Sequence, residues 1–514
     1  MSSKTDFLTK FDGSGREPRQ VQKDVLNWIA DNWDKTNTFC IKMPVGSGKS
    51  ACAVAIATTL PNCRICTPSN QLVEQYSSEY PQLNKYYGMD NYDNVNKYKA
   101  AKDRALAPEI LTVTNPAAEY FLAKMPDYRK ADVIIIDEAD QSIGLLSLMH
   151  TKKFKLTKEE FEDPPNTALA LSQHIRSKLA EMAAENKFKG GGGKQKLLRD
   201  SKVEKYRMYI KTLDEESEKI AIWPESETKW KGKRRYTFYY ICMKSILIPQ
   251  HVVNDFLGYG TKVILMGATI FEADLREMAP NRGFLVYEAP SPIDISRRQV
   301  LYSPLGCELA FPRPIQEIAD KIDAILNATP HLRPCLIHAT YSTAREIAEA
   351  MRNEVCYYNI KDDKKGMLEN WMKEGGVIIA PGCSTGLDLK DSLCRLNIIT
   401  QLNFADLGSP LVQKKLAATG GQEWYANNCI RHITQAVGRS TRNEKDHSLT
   451  VIVDPRFSRF YNKWKANFPK SFRESLIWSI DSLDMTHLEE NVLTESIDSD
   501  TLKLQQSTKE DTNE

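Results

Sequence analysis

Short apolar runs alternate with amphipathic segments over most of the chain. In its first part, apolar runs typical of buried strands lie at 38–41, 63–67, 110–114 and 132–136. Helical patterns separate these runs, and an alanine-rich one at 51–60 follows the first of them. Because short buried strands that alternate with helices are typical of parallel sheets, this pattern predicts an α/β domain.

A second alternating series occupies the later part of the chain. Its apolar runs lie at 335–339, 376–380, 396–401 and 449–453. A helical pattern at 343–352 follows the first of these runs. The chain therefore predicts a second parallel sheet of the same kind.

Residues 141–240 break this alternation. A long helical pattern at 166–187 is followed by the glycine run 190–193 and by a second helical pattern at 194–219. Consecutive glycines lose too much backbone entropy in a regular element, so they predict a loop between two helices. The aromatic and β-branched segment at 235–246 predicts a return by a strand into the first domain. The segment therefore predicts an inserted helical hairpin.

These patterns divide the chain into regions. The predicted bounds are 1–140 with 241–290 for the first domain, 141–240 for a helical and basic insertion, and 305–470 for the second domain. A linker is expected at 291–304. The tail at 488–514 is acidic and polar with few apolar residues, so it is predicted to be disordered.

The composition is that of an ordinary soluble protein. The 514 residues are 41% hydrophobic and 26% charged, and no apolar run approaches the length of a membrane span. The first ten residues contain no signal-peptide core, so we expect a cytoplasmic protein that does not bind membranes. The 11 cysteines are scattered through apolar stretches, which is typical of reduced core residues.

Positive charge is local rather than global. The formal net charge is +2, but the segments 187–211 and 229–236 are strongly basic. In the second segment, cations alternate with Trp230 and Tyr236, whose rings can stack on bases. A solvated helix face and a basic hairpin turn explain the same residues, and both interpretations stay open.

The strongest candidate for chemistry is the segment 43–50, Met-Pro-Val-Gly-Ser-Gly-Lys-Ser. Between a strand and a helix, such glycines turn backbone N–H groups toward phosphate oxygens, and the helix N-terminus adds its dipole. Lys49 can reach the β- and γ-phosphates and Ser50 can ligate Mg²⁺, although Met43 stands where the strict P-loop pattern has glycine. The predicted phosphate site consists of Gly46, Ser47, Gly48, Lys49 and Ser50.

Two acidic residues, Asp137 and Glu138, directly follow the apolar run at 132–136. The carboxyl end of a parallel strand is where ligands bind in open α/β sheets. Asp137 can hold Mg²⁺, and Glu138 can orient and deprotonate an attacking water. A helix N-cap is the plain alternative, which the aspartate alone would satisfy.

The order of the short motifs carries a family resemblance. Asp-Glu-Ala-Asp at 137–140 follows the P-loop, and the remaining motifs are Arg19-Gln20-Val21-Gln22, Gly267-Ala268-Thr269, Gly386-Leu387-Asp388 and Gln435-x-x-Gly438-Arg439-x-x-Arg442. Over about residues 15–460 the set resembles superfamily 2 helicases and translocases. The Met-Pro-x-Gly-x-Gly-Lys loop and the long gap between Asp140 and Thr269 resemble the DinG/XPD-like branch.

The resemblance implies an α/β fold of two tandem RecA-like parallel-sheet motor domains, with an arch-like insertion in the first. ATP and Mg²⁺ are the implied cofactors. The implied roles are adenine reading for Arg19 and Gln22, nucleotide contact for Gly386 and Asp388, catalysis for Gln435, Arg439 and Arg442, and coupling for Gly267, Ala268 and Thr269.

Small polar residues at predicted strand ends suit contacts with a phosphate backbone. By resemblance they face DNA, and Ser69 and Asn115 can cap helices at the same time. The predicted nucleic-acid residues are Thr67, Pro68, Ser69, Asn70, Thr114, Asn115, Thr340, Tyr341, Ser384 and Thr385.

Most members of the DinG/XPD-like branch hold a four-cysteine iron–sulfur cluster between the P-loop and the Asp-Glu box. In this sequence the interval contains only Cys52, Cys63 and Cys66, so we predict no iron–sulfur cluster. The 5′→3′ polarity that the branch implies is therefore left open. A compact layout of this kind fits a phage or mobile-element origin.

The leading hypothesis is an ATP-dependent DNA helicase in replication, repair or recombination. We expect a monomer that binds single-stranded and tailed duplex DNA, with RNA left open, and that works with replication or repair proteins. Two other hypotheses remain: a translocase that remodels complexes without unwinding, and a slow ATP-gated clamp or loader. The motifs do not separate them, because unwinding depends on a wedge that motifs do not encode.

Overall fold

The computed structural model describes most of the chain. The described residues are 6–9, 11, 16–88, 91–107, 109–122, 125, 131–148, 152–186, 193–231, 234–248, 257, 260–278, 282–309, 312–357, 364–382, 389, 393–441 and 443–484. Several predictions fall outside them and stay predictions. These concern Ser384, Thr385, Gly386, Asp388, Arg442, the glycines at 190–192 and the tail at 488–514.

Before the insertion, strands and helices alternate as the sequence predicts. The strands are β1 (Thr38–Lys42), β2 (Cys63–Cys66), β3 (Asn84–Tyr86), β4 (Thr112–Thr114) and β5 (Val133–Ile136). The helices are α1 (Gln20–Asp31), α2 (Lys49–Thr59), α3 (Asn70–Glu79), α4 (Val95–Leu106), α5 (Pro116–Leu122) and α6 (Ala139–Leu148). The sequence pattern misses β3, because that strand is three residues long and its central Lys85 is exposed.

The insertion combines helices with an antiparallel sheet. Its helices are α7 (Lys158–Glu162), α8 (Ala168–Asn186) and α9 (Gly193–Glu215), and its strands are β6 (Lys152–Leu156), β7 (Ile220–Lys231) and β8 (Arg234–Ser245). The predicted helical hairpin is confirmed, since α8 packs on α9. The description of the insertion as helical is incomplete, because β6, β8 and β7 form a sheet in that order. Gly193, expected in the loop, begins α9.

The chain then returns to complete the first sheet. The returning elements are β9 (Lys262–Gly267), α10 (Glu272–Met278) and β10 (Leu285–Glu288). The sheet has the order β10-β1-β9-β5-β2-β4-β3, and each neighbouring pair is parallel. Its central β5 is buried along its whole length, as expected for a strand covered on both faces.

The second domain repeats this plan. Its strands are β11 (Val300–Tyr302), β12 (Cys335–His338), β13 (Cys356–Tyr357), β14 (Val377–Ile379), β15 (Leu396–Ile399), β16 (Leu449–Ile452) and β17 (Leu476–Ile477). Its helices are α11 (Ile315–Ala328), α12 (Ala344–Ala350), α13 (Lys364–Glu374), α14 (Pro410–Ala417), α15 (Gly421–Val437), α16 (Phe457–Trp464) and α17 (Lys470–Ser475). The parallel order is β13-β14-β12-β15-β16-β11-β17.

The second sheet extends beyond the predicted domain bounds. β11 lies inside the predicted linker at 291–304, and β17 follows the predicted end at 470. β11 pairs with both β16 and β17, so these short strands are held by the sheet rather than by a strong local pattern. Among the described helices, none is long and apolar enough to cross a membrane.

Candidate nucleotide site and the domain interface

The P-loop connects the carboxyl end of β1 to the start of α2. Gly46 and Gly48 both have a φ of +80°, in the left-handed region that glycine tolerates. A Cβ on Gly48 would lie 2.2 Å from the side-chain nitrogen of Gln22, so a side chain at this position would displace the Gln22 amide. The turn leaves the N-terminus of α2 directed at the site, where its dipole favours an anion.

Arg19 and Gln22 hold this loop from α1. The guanidinium of Arg19 donates to the Gly46 carbonyl at 2.8 Å, and the Gln22 amide donates to the Gly48 carbonyl at 3.2 Å. The Gln22 side-chain oxygen accepts from the Arg19 backbone N–H at 2.8 Å, which fixes the two residues together. The structure therefore places both predicted residues against the P-loop, while nucleotide binding and adenine reading stay predictions.

The acidic pair lies opposite the P-loop lysine. Lys49 Nζ is 3.4 Å from Glu138 Oε1, and the Lys49 side chain is only 10% exposed. Glu138 has a φ of +46°, which is uncommon for a residue with a side chain and which a functional position can retain. Burial, followed by the neighbouring Glu138 charge, raises the pKa of Asp137 to about 6. The site therefore carries negative charge that Lys49 only partly offsets.

A tyrosine that the sequence patterns do not single out connects the two predicted Mg²⁺ ligands. Tyr76, buried on α3, donates to Asp137 Oδ2 at 2.7 Å. The Ser50 hydroxyl lies near the same tyrosine oxygen. Tyr76 therefore holds a carboxylate and a hydroxyl side by side. In the sequence, Tyr76 is marked only by its spacing of three residues from Val73 on the buried face of an amphipathic helix. An ordinary core residue would show the same pattern.

The donor set fits Mg²⁺ delivered with a nucleotide. Mg²⁺ prefers oxygen ligands and is usually bound by one or two protein groups together with phosphates and water. Ser50 and Asp137 supply such oxygens. Over the part of the chain that the structure describes, no group of three or more His, Cys, Asp or Glu side chains could hold a metal by itself.

The cysteines between the P-loop and the Asp-Glu box are core residues. Cys52, Cys63 and Cys66 are all buried, and burial raises the pKa of Cys63 to about 12. The absence of an iron–sulfur cluster stays a prediction.

A buried polar cluster joins the two domains beside this site. Thr269 Oγ1 donates to Asp140 Oδ2 at 2.6 Å, and the Gln435 amide reaches the same oxygen at 3.4 Å from α15 of the second domain. Arg431, one helical turn before Gln435, forms ion pairs with Asp140 at 3.2 Å and with Asp274 at 2.6 Å. Sequence reasoning missed Arg431, whose signal is its i,i+4 spacing to Gln435 on one helix face.

The P-loop and the second domain are in close contact. A Cβ on Gly438 would lie 2.8 Å from Val45 Cγ2, so the end of α15 rests directly on the loop. A small cleft of about 50 Å³ continues from this contact and is lined by residues of both domains, including Pro44, Ala268 and Thr441. Arg439 lies near His338, whose pKa is lowered mainly by burial and further by the Arg439 charge. The catalytic role of Arg439 stays a prediction.

The predicted nucleic-acid residues differ in accessibility. Thr67, Pro68 and Thr114 are buried, so contacts from the first domain would fall to Ser69, Asn70 and Asn115. The Asn115 amide donates to Asn70 at 2.7 Å, which links the two loops. Ser69 and Asn115 also cap α3 and α5, as the alternative reading expected.

In the second domain, Tyr341 is 50% exposed and Thr340 bonds the hydroxyls of two neighbours. Both residues lie at the end of β12, and their contact with nucleic acid stays a prediction.

Comparisons with known proteins agree with this architecture. The family described as "Helicase C-terminal domain" matches residues 333–475, and "Type III restriction enzyme, res subunit" matches residues 16–172. The "ATP-dependent DNA helicase chl1" of Aspergillus niger is 26% identical over 123 residues, which are 20% of this chain and 14% of that protein. The "Regulator of telomere elongation helicase 1 homolog" of Drosophila virilis is 35% identical over 112 residues, 20% of this chain and 10% of that protein. The chain therefore matches less than a sixth of the length of these relatives.

Solved structures show the same fold over nearly the whole chain. "Structure of S. tokodaii Xpd4" has a TM-score of 0.55 at 12% identity, covering 89% of this chain and 100% of that one. "XPD_Helicase" has a TM-score of 0.56 at 13% identity, covering 90% and 99%. The fold, the ordered motifs and the two family models define the chain as a superfamily 2 helicase-family protein. Its ordered motifs resemble those of the DinG/XPD-like branch of that superfamily, and its fold is similar to that of the XPD structures.

Proposed function

We propose that this protein is an ATP-dependent DNA helicase that couples ATP hydrolysis to movement along single-stranded DNA and to duplex unwinding. The observation that carries the proposal is that the Lys49–Glu138 ion pair lies two residues from Asp140, which Gln435 of the second domain contacts at 3.4 Å. Replication, repair or recombination is the proposed setting.

The proposed chemistry follows from the position of each side chain. Lys49 neutralises the β- and γ-phosphates, and Ser50 and Asp137 offer oxygen ligands to the Mg²⁺ that accompanies ATP. Glu138 orients the attacking water and accepts its proton. Gln435 positions the water or the γ-phosphate, while Arg439 and Arg442 stabilise the charge that develops there.

Coupling to nucleic acid depends on the domain interface. Thr269 and Gln435 both contact Asp140, so a movement of the Asp-Glu box would displace residues of both domains. Since the proposed nucleic-acid loops lie on both domains, opening and closing the cleft would move the loops of one domain relative to those of the other. Single-stranded and tailed duplex DNA are the proposed substrates, bound by a monomer that works with replication or repair proteins.

The first experiment measures ATP hydrolysis with and without single-stranded DNA or RNA, and strand displacement on duplexes with a 5′ or a 3′ tail. Displacement of the 5′-tailed duplex alone would support the polarity that the branch implies, and displacement of the 3′-tailed one would reverse it. DNA-stimulated hydrolysis without displacement would favour the translocase. Slow hydrolysis that nucleic acid does not stimulate would favour the clamp or loader.

Tyr76→Phe tests the support of the Mg²⁺ ligands. Removing the hydroxyl deletes a hydrogen bond to a buried carboxylate, an interaction worth about 1.5–3 kcal/mol. We expect the Mg²⁺ concentration for half-maximal ATP hydrolysis to rise about tenfold. The matched control is Tyr80→Phe, which loses a hydrogen bond with Arg16 near the same helix. Equal Mg²⁺ dependence in the two variants would contradict the proposed role of Tyr76.

A further inference from the structure

The antiparallel sheet of the insertion has two different faces. One face packs on α8 and α9 through residues such as Ile241 and Met243, which are almost fully buried. Alternate residues of a strand share a face, so Tyr236, Phe238 and Tyr240 form a column along β8 on the opposite side. Neighbouring rings of this column are about 7 Å apart along the strand. Tyr236 is 42% exposed, and the other two rings are partly exposed.

Lysines border this aromatic column. Lys153 Nζ lies 5.6 Å from the ring centroid of Tyr240, and Lys155 Nζ lies 5.4 Å from that of Phe238. Lys229 approaches the other side of Phe238 at 6.0 Å. Each of the three lysines is exposed, so its charge remains accessible beside a ring.

Acidic residues on this face offset only part of that charge. Glu225 pairs with Lys153, and Glu227 pairs with Lys229 at 3.3 Å. The cross-strand register also places Arg234 and Lys244 on the same face. The face therefore carries more cations than carboxylates, which favours a polyanion over an acidic or neutral partner.

The column leads toward the second domain. β7 lies against α14, which carries Lys415. Lys244, at the inner end of the column, is only 7% exposed, and its pKa is lowered first by burial and then by Lys415, with Glu277 opposing. Two like charges thus meet where the sheet adjoins the motor.

We propose that this aromatic face, formed by Tyr236, Phe238 and Tyr240 with Lys153 and Lys155 beside them, binds a single strand of nucleic acid. Successive bases stack on the three rings, and the phosphates lie against the lysines. A duplex keeps its bases stacked on one another, so a single strand is the occupant. Every base has an aromatic surface, and binding therefore tolerates any sequence. The proposal rests on the proposed function for the view that this chain acts on nucleic acid.

The hairpin supplies a matched control. Trp230 is 69% exposed on the same hairpin, but its register with Arg235 places it on the opposite face. Of the two aromatic residues that the basic segment suggested, only Tyr236 joins the column. Trp230→Ala therefore removes a ring that is more exposed than Tyr236 without changing the proposed surface.

The test measures the affinity of the full chain for a fluorescent 20-nucleotide single strand of mixed sequence by anisotropy. The double variant Phe238→Ala, Tyr240→Ala is expected to bind at least about 30-fold more weakly, since each base–aromatic stack is worth roughly 5- to 150-fold. The double variant Phe238→Tyr, Tyr240→Phe keeps both rings and is expected to stay within about threefold of the parent. Lys153→Ala with Lys155→Ala is expected to reduce the slope of log affinity against log salt by about 1.4.

Unchanged single-strand affinity in the alanine double variant would overturn the proposal. So would an equal loss in Trp230→Ala, or an equal loss on a blunt duplex of the same length. If the alanine double variant also lost basal ATP hydrolysis, its weaker binding could come from misfolding. The Lys153→Ala, Lys155→Ala variant then decides, and an unchanged slope of log affinity against log salt in that variant would overturn the proposal.

Hydrolysis assays separate this proposal from the proposed function. We expect the alanine double variant to keep its basal ATP hydrolysis and its maximal stimulated rate, but to need more single strand for half-maximal stimulation. A parent chain without ATP hydrolysis would reject the proposed function, while the anisotropy would still decide whether this face binds a strand.

Discussion

Lys49→Ala is expected to reduce ATP hydrolysis by about 10³-fold, because it removes the cation that we propose faces the transferring phosphate. Lys49 Nζ also lies 3.4 Å from Glu138 Oε1, and Lys49 opposes the rise in the pKa of Asp137. Without it, two neighbouring carboxylates repel the phosphates of an incoming nucleotide. The measurement is steady-state phosphate release at saturating single-stranded DNA.

The variant is expected to fold normally, because the Lys49 ammonium faces the site rather than the core. Lys85→Ala is the control, since Lys85 makes an exposed ion pair with Glu74 at 2.7 Å, and such pairs contribute about 0–1 kcal/mol. Hydrolysis at the parent rate in Lys49→Ala would remove the basis for the nucleotide site.

Arg431→Ala is expected to uncouple the two domains. The second domain places this arginine between Asp140 and Asp274. Its loss removes one ion pair from each of these two carboxylates. Breaking a buried pair in this way costs about 3–5 kcal/mol, which corresponds to roughly 100- to 4,000-fold in the closed population. We expect DNA-stimulated hydrolysis to fall by a similar factor, while nucleotide binding to the first domain alone persists.

Two further variants make this prediction specific. Arg276→Ala removes an exposed arginine that pairs with Glu272 on the same helix as Asp274, and it is expected to have little effect. Adding Asp140→Asn to Arg431→Ala should cost less than the sum of the single changes, because the two residues share one interaction. Full DNA stimulation in Arg431→Ala, or strict additivity, would contradict the coupling role.

The motor domains could be predicted because their signals are local. A buried strand such as Val133–Ile136 is apolar along its whole length, and its flanking carboxylates mark the end of the strand. The P-loop is similarly local, since Gly46 and Gly48 satisfy backbone requirements within one turn. The ordered motifs then implied the two-domain architecture.

Other features depend on partners distant in sequence. One face of the insertion's sheet is open, so polar and apolar residues alternate along its strands. This alternation gives the same sequence pattern as a basic surface segment. Val300–Tyr302 is too short to signal a strand and is defined by pairing with residues about 150 positions later. No local pattern distinguishes Tyr76 from an ordinary core residue.

The sequence by itself determined the class of fold and the chemistry of the nucleotide site, because strand burial, glycine conformations and the Asp-Glu pair are each set within a few residues. Only the tertiary structure decided which side chains meet across the chain: Tyr76 with Asp137, Arg431 with Asp140, and the lysines beside the column of rings on β8. The physical reason is that hydrogen bonds, ion pairs and ring contacts act over a few ångströms in space, and the packing of two sheets and an insertion decides which residues come that close.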